Sequence, residues 1–132
     1  MTIVDTSVWI DFLEGGNHWT KEHLKELIKK RESIAYTDLI LLEILQGVRT
    51  REKRESIETK FNHFIQLSQR RSGILLASEI YQELLRKGIS IRSIIDCLIA
   101  AIAIESGAKI LHKDRDFEFI AKHYPILTIS QQ

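Results

Sequence analysis

Four short runs rich in apolar and β-branched residues, 2–4, 33–36, 109–112 and 126–129, lie far apart along the chain, and helical periodicity fills most of what separates them. Parallel strands cannot be joined by tight turns, so strands spaced in this way need helical crossovers and build a mostly parallel sheet covered on both faces. The expected architecture is α/β, a three-layer fold with about four short strands flanked by helices. Helices are expected over 7–13, 18–30, from Thr37 or Asp38 to Gly47, and over 52–67, 72–86, 94–105 and 114–123. The segments 52–67 and 72–86 read as a helical hairpin, and Gly107 as the stop of the most apolar helix.

At 132 residues the chain suits one domain spanning 1–132. Hydrophobic residues at 44% and charged residues at 28% exclude a disordered chain. Cys97 is the only cysteine, which excludes an internal disulfide, and its apolar helical setting marks it as core. The N-terminus has neither the basic start nor the apolar stretch of a signal peptide, so a cytoplasmic protein is expected. The apolar stretch 94–104 contains Asp96 and falls short of the roughly 20 residues that span a bilayer, so no membrane partner is expected.

The five histidines show neither H-E-x-x-H nor H-x₃-H spacing, and no Walker A or G-x-G-x-x-G loop occurs, which argues against zinc, P-loop and dinucleotide chemistry. The histidines are expected at the surface or in packing roles. A formal charge of +1 leaves nucleic-acid binding to local patches. Residues 29–31 form one, and Arg49, Arg51, Lys53 and Arg54 another. Both also read as solvated helix faces.

The acidic residues carry more information. Asp5 follows the first strand directly, and Asp114 lies two residues beyond the 109–112 strand. Open α/β sheets place their sites beyond these C-terminal strand ends. Asp96 and Glu43 sit inside strongly apolar helices, where an unpaired charge costs several kcal/mol or more. Each residue also has a plain structural reading. Asp5 and Asp114 could be N-caps, and Ser93-Ile94-Ile95-Asp96 fits a capping box, but Glu43 lies too deep in its helix to cap it. Clustered carboxylates repel one another, and a hard cation with oxygen ligands, Mg²⁺ or Mn²⁺, is the natural compensation.

Taken in order, these segments resemble the PIN-domain family, particularly its VapC-type toxins. The resemblance rests on Asp5-Thr6-Ser7-Val8-Trp9-Ile10-Asp11, on Glu43 to Gly47 as an E-x-x-x-G segment, on Asp96-Cys97-Leu98-Ile99-Ala100-Ala101 as D-x-x-I-A-A, and on Asp114-Arg115-Asp116-Phe117 as D-x-D-F. It implies a PIN-like fold and an acidic site of Asp5, Glu43, Asp96 and Asp114, with Asp116 as a fifth member or substitute. Asp5, Asp96 and Asp114 are the expected metal ligands. Thr6 or Ser7 is expected to support a carboxylate by hydrogen bonding, and Asp11 to be structural.

The implied activity is hydrolysis of RNA phosphodiesters by a metal-dependent endoribonuclease, the toxin of a toxin–antitoxin pair. Single-stranded or looped RNA is expected, because the scissile phosphate must enter a recessed acidic site. Arg49, Arg51 and Arg54 are candidates to hold flanking phosphates. The family also implies a cognate antitoxin and a homodimer or larger hetero-oligomer, with Trp9, Phe12 and Trp19 as candidate apolar docking positions. Two alternatives stand beside this reading: a PIN-fold binding module without turnover, and another Mg²⁺-dependent phosphohydrolase. A haloacid-dehalogenase-type site would want D-x-D at the first strand, where this chain has Asp5-Thr6-Ser7.

Overall fold

The computed structural model describes residues 1–131. The chain opens with β1 (Thr2–Val4), α1 (Thr6–Glu14), α2 (Trp19–Lys29), β2 (Ile34–Thr37) and α3 (Asp38–Gln46). It continues through α4 (Arg51–Phe61), β3 (Ile65–Leu67), α5 (Arg71–Arg86), α6 (Ile94–Ser106), β4 (Lys109–Leu111), α7 (Arg115–Ala121) and β5 (Leu127–Thr128). All strands are parallel, in the order β3-β2-β1-β4-β5. Successive side chains of a strand point to opposite faces, yet every residue of β1 and β2 is buried, so helices cover both faces at the sheet centre.

The strand order reverses direction at β1, with β2 on one side and β4 on the other. Main-chain bonds hold the two neighbours in register, Thr2 against Ile34 and Val4 against Leu111. The ends of β1 and β4 therefore finish side by side, with α1 and α7 starting just beyond them. This is the crevice where an open α/β sheet presents a site.

Two expectations change. The predicted helix over 52–67 ends at Phe61, and residues 65–67 form an edge strand paired Ala35 with Ile65 and Thr37 with Leu67. The sheet thus has five strands. Phe61 and Phe64 keep the helical spacing that suggested a longer helix, but they use it around a turn to pack on Trp9, with ring centroids 4.8 and 5.4 Å away. Beyond that turn the backbone satisfies the polar edge of β2, which a continued helix would leave open. The helical hairpin is corrected as well: α5 packs along α6.

Helix α6 is buried nearly all round, with Cys97, Ile99, Ala100, Ala101, Ile102 and Ala103 in the core. It stops as expected at Gly107, whose φ of 70° is a left-handed conformation that favours glycine. No helix among the described residues is long and apolar enough to cross a membrane.

Candidate active site

Asp5 is where β1 becomes α1. Its main-chain N–H donates to the Leu111 carbonyl at 2.9 Å, so the sheet fixes it, and its carboxylate caps α1 by accepting from the Ser7 N–H at 3.3 Å. The Ser7 hydroxyl donates to the same oxygen at 2.7 Å. The carboxylate is buried, and burial raises its pKa against the opposing pull of these Ser7 hydrogen bonds.

Thr37, fully buried at the end of β2, caps α3 by accepting from the Ile40 N–H at 3.2 Å. The helix so started carries Glu43, half-buried, to the rim, where the Thr6 hydroxyl donates to Glu43 Oε1 at 3.1 Å. Burial raises the Glu43 pKa, the Thr6 bond opposes it, and the charge of Asp5 adds to it. Thr6 and Ser7 thus each hold one of these carboxylates.

Asp114 caps α7 by accepting from the Asp116 N–H at 2.9 Å. Asp116 lies one turn further in and is 1% exposed. Ser93 caps α6 through the Ile95 N–H at 3.2 Å, which leaves Asp96, in the first turn, free to face the other acidic residues. Carboxylate oxygens of Asp96, Asp114 and Asp116 lie within 4.8 Å of one another. Asp5 lies beside this trio, close enough for its charge to act on Asp96. Capping and clustering are therefore not rival roles for Asp5 and Asp114, because helix N-termini at the strand ends are what bring the carboxylates together.

The charges are unevenly compensated. Burial, then repulsion from Asp5 and from Asp114 and Asp116, pushes the Asp96 pKa up to about 8. At Asp114 burial also raises the pKa, but hydrogen bonds from the Asp116 N–H and the Asp96 carboxyl, with Arg92 alongside, outweigh it and hold the group below the usual carboxylate range. All the donors are hard oxygens, and no thiol or imidazole joins the trio. That set suits Mg²⁺ or Mn²⁺ and does not suit a softer metal.

Asp11 stands apart from the cluster and pairs with Lys113. Arg49, Arg51 and Arg54 are all exposed near the end of α3 and the start of α4, and Arg54 reaches Glu58 at 3.9 Å. Their neighbour Lys53 lines a small cleft together with Glu43 and Gly47. Trp9 does not offer a docking surface. It is fully buried among Phe12, Phe61 and Phe64, because its position on α1 faces the turn after α4; Phe12 and Trp19 are half-buried.

Two residues that contact the cluster, His112 and Arg92, were not among the expected site residues. His112 is buried, its Nδ1 accepts the Asp114 N–H at 3.1 Å, and its Nε2 faces Glu118 Oε1 at 2.9 Å. An acceptor Nδ1 fixes the proton on Nε2, so the ring holds the turn that presents Asp114. Its place two residues before Asp114 was the available clue. Arg92 reaches Asp114 Oδ1 at 2.9 Å and Asp116 Oδ2 at 3.5 Å, and no spacing rule links it to residues more than 20 positions away.

The family model for the PIN domain matches residues 2–123. The chain is 33% identical over 124 residues to a VapC ribonuclease of Mycobacterium bovis, covering 92% of both chains. It matches ribonuclease VapC11 of Mycobacterium tuberculosis to the same extent, 33% over 124 residues with 92% of each covered. Its fold superimposes on the crystal structure of VapBC2 from Rickettsia felis bound to a DNA fragment from their promoter, with a TM-score of 0.77 at 19% identity, covering 99% of this chain and 98% of that one.

Proposed function

The chain belongs to the PIN domain family, and from that premise we propose that it is a divalent-cation-dependent endoribonuclease, the toxin of a VapBC-type toxin–antitoxin pair. The observation that carries the chemistry is the trio of Asp96, Asp114 and Asp116, with oxygens within 4.8 Å of one another. Asp5 stands beside the trio, on a chain whose named relatives are ribonucleases.

In this reading Asp96, Asp114 and Asp116 would hold Mg²⁺ or Mn²⁺, and Asp5 would contribute beside them. The cation, when bound, lowers the pKa of water and offsets charge developing on the phosphoryl oxygens. Glu43, whose pKa burial raises and which Thr6 orients, accepts a proton from the attacking water at its free carboxylate oxygen. Ser7 keeps Asp5 aimed at the crevice. His112 holds Asp114 in place. Arg49, Arg51 and Arg54, exposed beside Lys53 between the end of α3 and the start of α4, would bind phosphates away from the carboxylates.

The proposed setting is one PIN domain over 1–132, acting in the cytoplasm as a homodimer or within a larger complex with its antitoxin. The VapBC structures that share the fold support that association. Incubating the EDTA-stripped protein with single-stranded RNA, with and without Mg²⁺ or Mn²⁺, tests the activity. Cleavage should appear only with the cation. A clean preparation that never cleaves while still binding a partner antitoxin would support the binding-module alternative instead.

A further inference from the structure

Arg92 is the only Lys or Arg among the described residues that pairs with the acidic trio. Its Nη2 donates to Asp114 Oδ1 at 2.9 Å, and its Nε lies 3.5 Å from Asp116 Oδ2. Its main-chain N–H donates to that same Asp116 oxygen at 3.1 Å. The main chain is thus pinned to a carboxylate that is 1% exposed, while the side chain is 65% exposed and reaches the cluster from the solvent side. Asp114 Oδ1 already accepts two hydrogen bonds, one from Arg92 and one from the Asp116 N–H at 2.9 Å.

A divalent cation draws its ligands from these same carboxylates. Two donors leave Asp114 Oδ1 little lone-pair capacity for a third partner, and a cation held nearby repels the guanidinium. The Asp116 N–H belongs to the helix cap and cannot leave without unwinding α7, whereas Arg92 is an exposed side chain free to swing. Once displaced it stays at the rim, because its main chain is anchored. An RNA backbone entering the crevice brings phosphates to that rim, and a planar guanidinium matches phosphate oxygens in a bidentate fork.

We infer that Arg92 is an internal counter-ion of the metal-free site: it yields Asp114 to the divalent cation and then binds a phosphate of the RNA, so that one side chain couples metal loading to substrate binding. The phosphate half of this inference rests on the ribonuclease reading above. The counter-ion half does not.

Calorimetric titration with Mn²⁺, without RNA, compares the wild type with Arg92→Gln and Arg92→Lys, after thermal unfolding has verified that each variant folds. Removing the competing charge should tighten Mn²⁺ binding by about tenfold in Arg92→Gln, while Arg92→Lys stays within about threefold of wild type. Unchanged or weaker Mn²⁺ binding in Arg92→Gln would show that Arg92 builds the ligand set, and would overturn the inference. At saturating Mn²⁺, cleavage of a short single-stranded RNA by Arg92→Gln should show KM raised about tenfold with kcat within about threefold. The salt slope of kcat/KM should be shallower by about one. An unaltered KM and slope would overturn the phosphate contact. A wild type that cleaves no RNA contradicts the ribonuclease reading, and the Mn²⁺ comparison still decides whether Arg92 is a competing counter-ion.

Discussion

The burial that makes Asp96 costly to ionise also makes the metal-free protein sensitive to pH. Its folded-state pKa is pushed up to about 8, against an unfolded carboxylate near 4. Between those values the folded chain holds a proton that the unfolded chain has lost. Its stabilising contribution is therefore complete below about pH 4 and is lost as pH rises towards 8. Asp114, held low, acts in the opposite sense and matters only on the acid side. In EDTA, the wild type should melt several degrees lower at pH 8 than at pH 5.5, and Asp96→Asn should narrow that difference, the raised Asp5 and Glu43 keeping the remainder. Equal slopes in thermal melts of the two proteins would remove Asp96 as the cause. Asp96 could be singled out in the sequence because a charge inside an apolar helix is conspicuous without coordinates. Arg92 and His112 could not, since an arginine in a polar loop and a histidine at a strand end look ordinary until folding brings them to Asp114.

At the scale of elements, the site depends on where helices begin. Thr37 is buried and caps α3, the helix that carries Glu43, so Thr37→Ala should lower stability by about 1–2 kcal/mol in urea unfolding. The same variant should also reduce kcat, because the first turn of α3 aims Glu43 at Thr6. A loss of stability with full kcat would mean that the position of Glu43 does not depend on this cap. The α1–α2 joint is similarly tight: a Cβ at Gly16 would lie 2.9 Å from the Cβ of Asp11, whose carboxylate is engaged by Lys113. Gly16→Ala should therefore cost about 1–3 kcal/mol, read as a lower urea midpoint at unchanged slope. Cap residues and apolar periodicity made most helices legible. The edge strand β3 was not, because Ile65 and Gln66 are exposed and only Leu67 is half-buried, so no alternation marked it. Its partner is β2, about 30 residues earlier, and local spacing cannot encode that pairing.

For the whole molecule, the parallel order β3-β2-β1-β4-β5 converts acidic residues from four distant segments into one crevice. Strands separated by helices were enough to predict the sheet type and the end of it where the acidic residues gather. The exact grouping needed the packed structure. The expected ligands were Asp5, Asp96 and Asp114, while the tightest geometric set is Asp96, Asp114 and Asp116, because α7 turns Asp116 inward behind its own cap. The central claim is that this crevice holds a divalent cation for RNA hydrolysis, and paired measurements on Asp5→Asn and Asp96→Asn test it most directly. Cleavage of a mixed RNA pool with Mg²⁺ or Mn²⁺ should fall at least about a hundredfold in both variants, while their metal-free melting temperatures match or exceed that of the wild type, since removing one of several crowded carboxylates relieves repulsion. Cleavage at the wild-type rate by both folded variants, with stability unchanged, would contradict the account and reduce Asp5 to a helix cap and Asp96 to a first-turn acidic residue of α6.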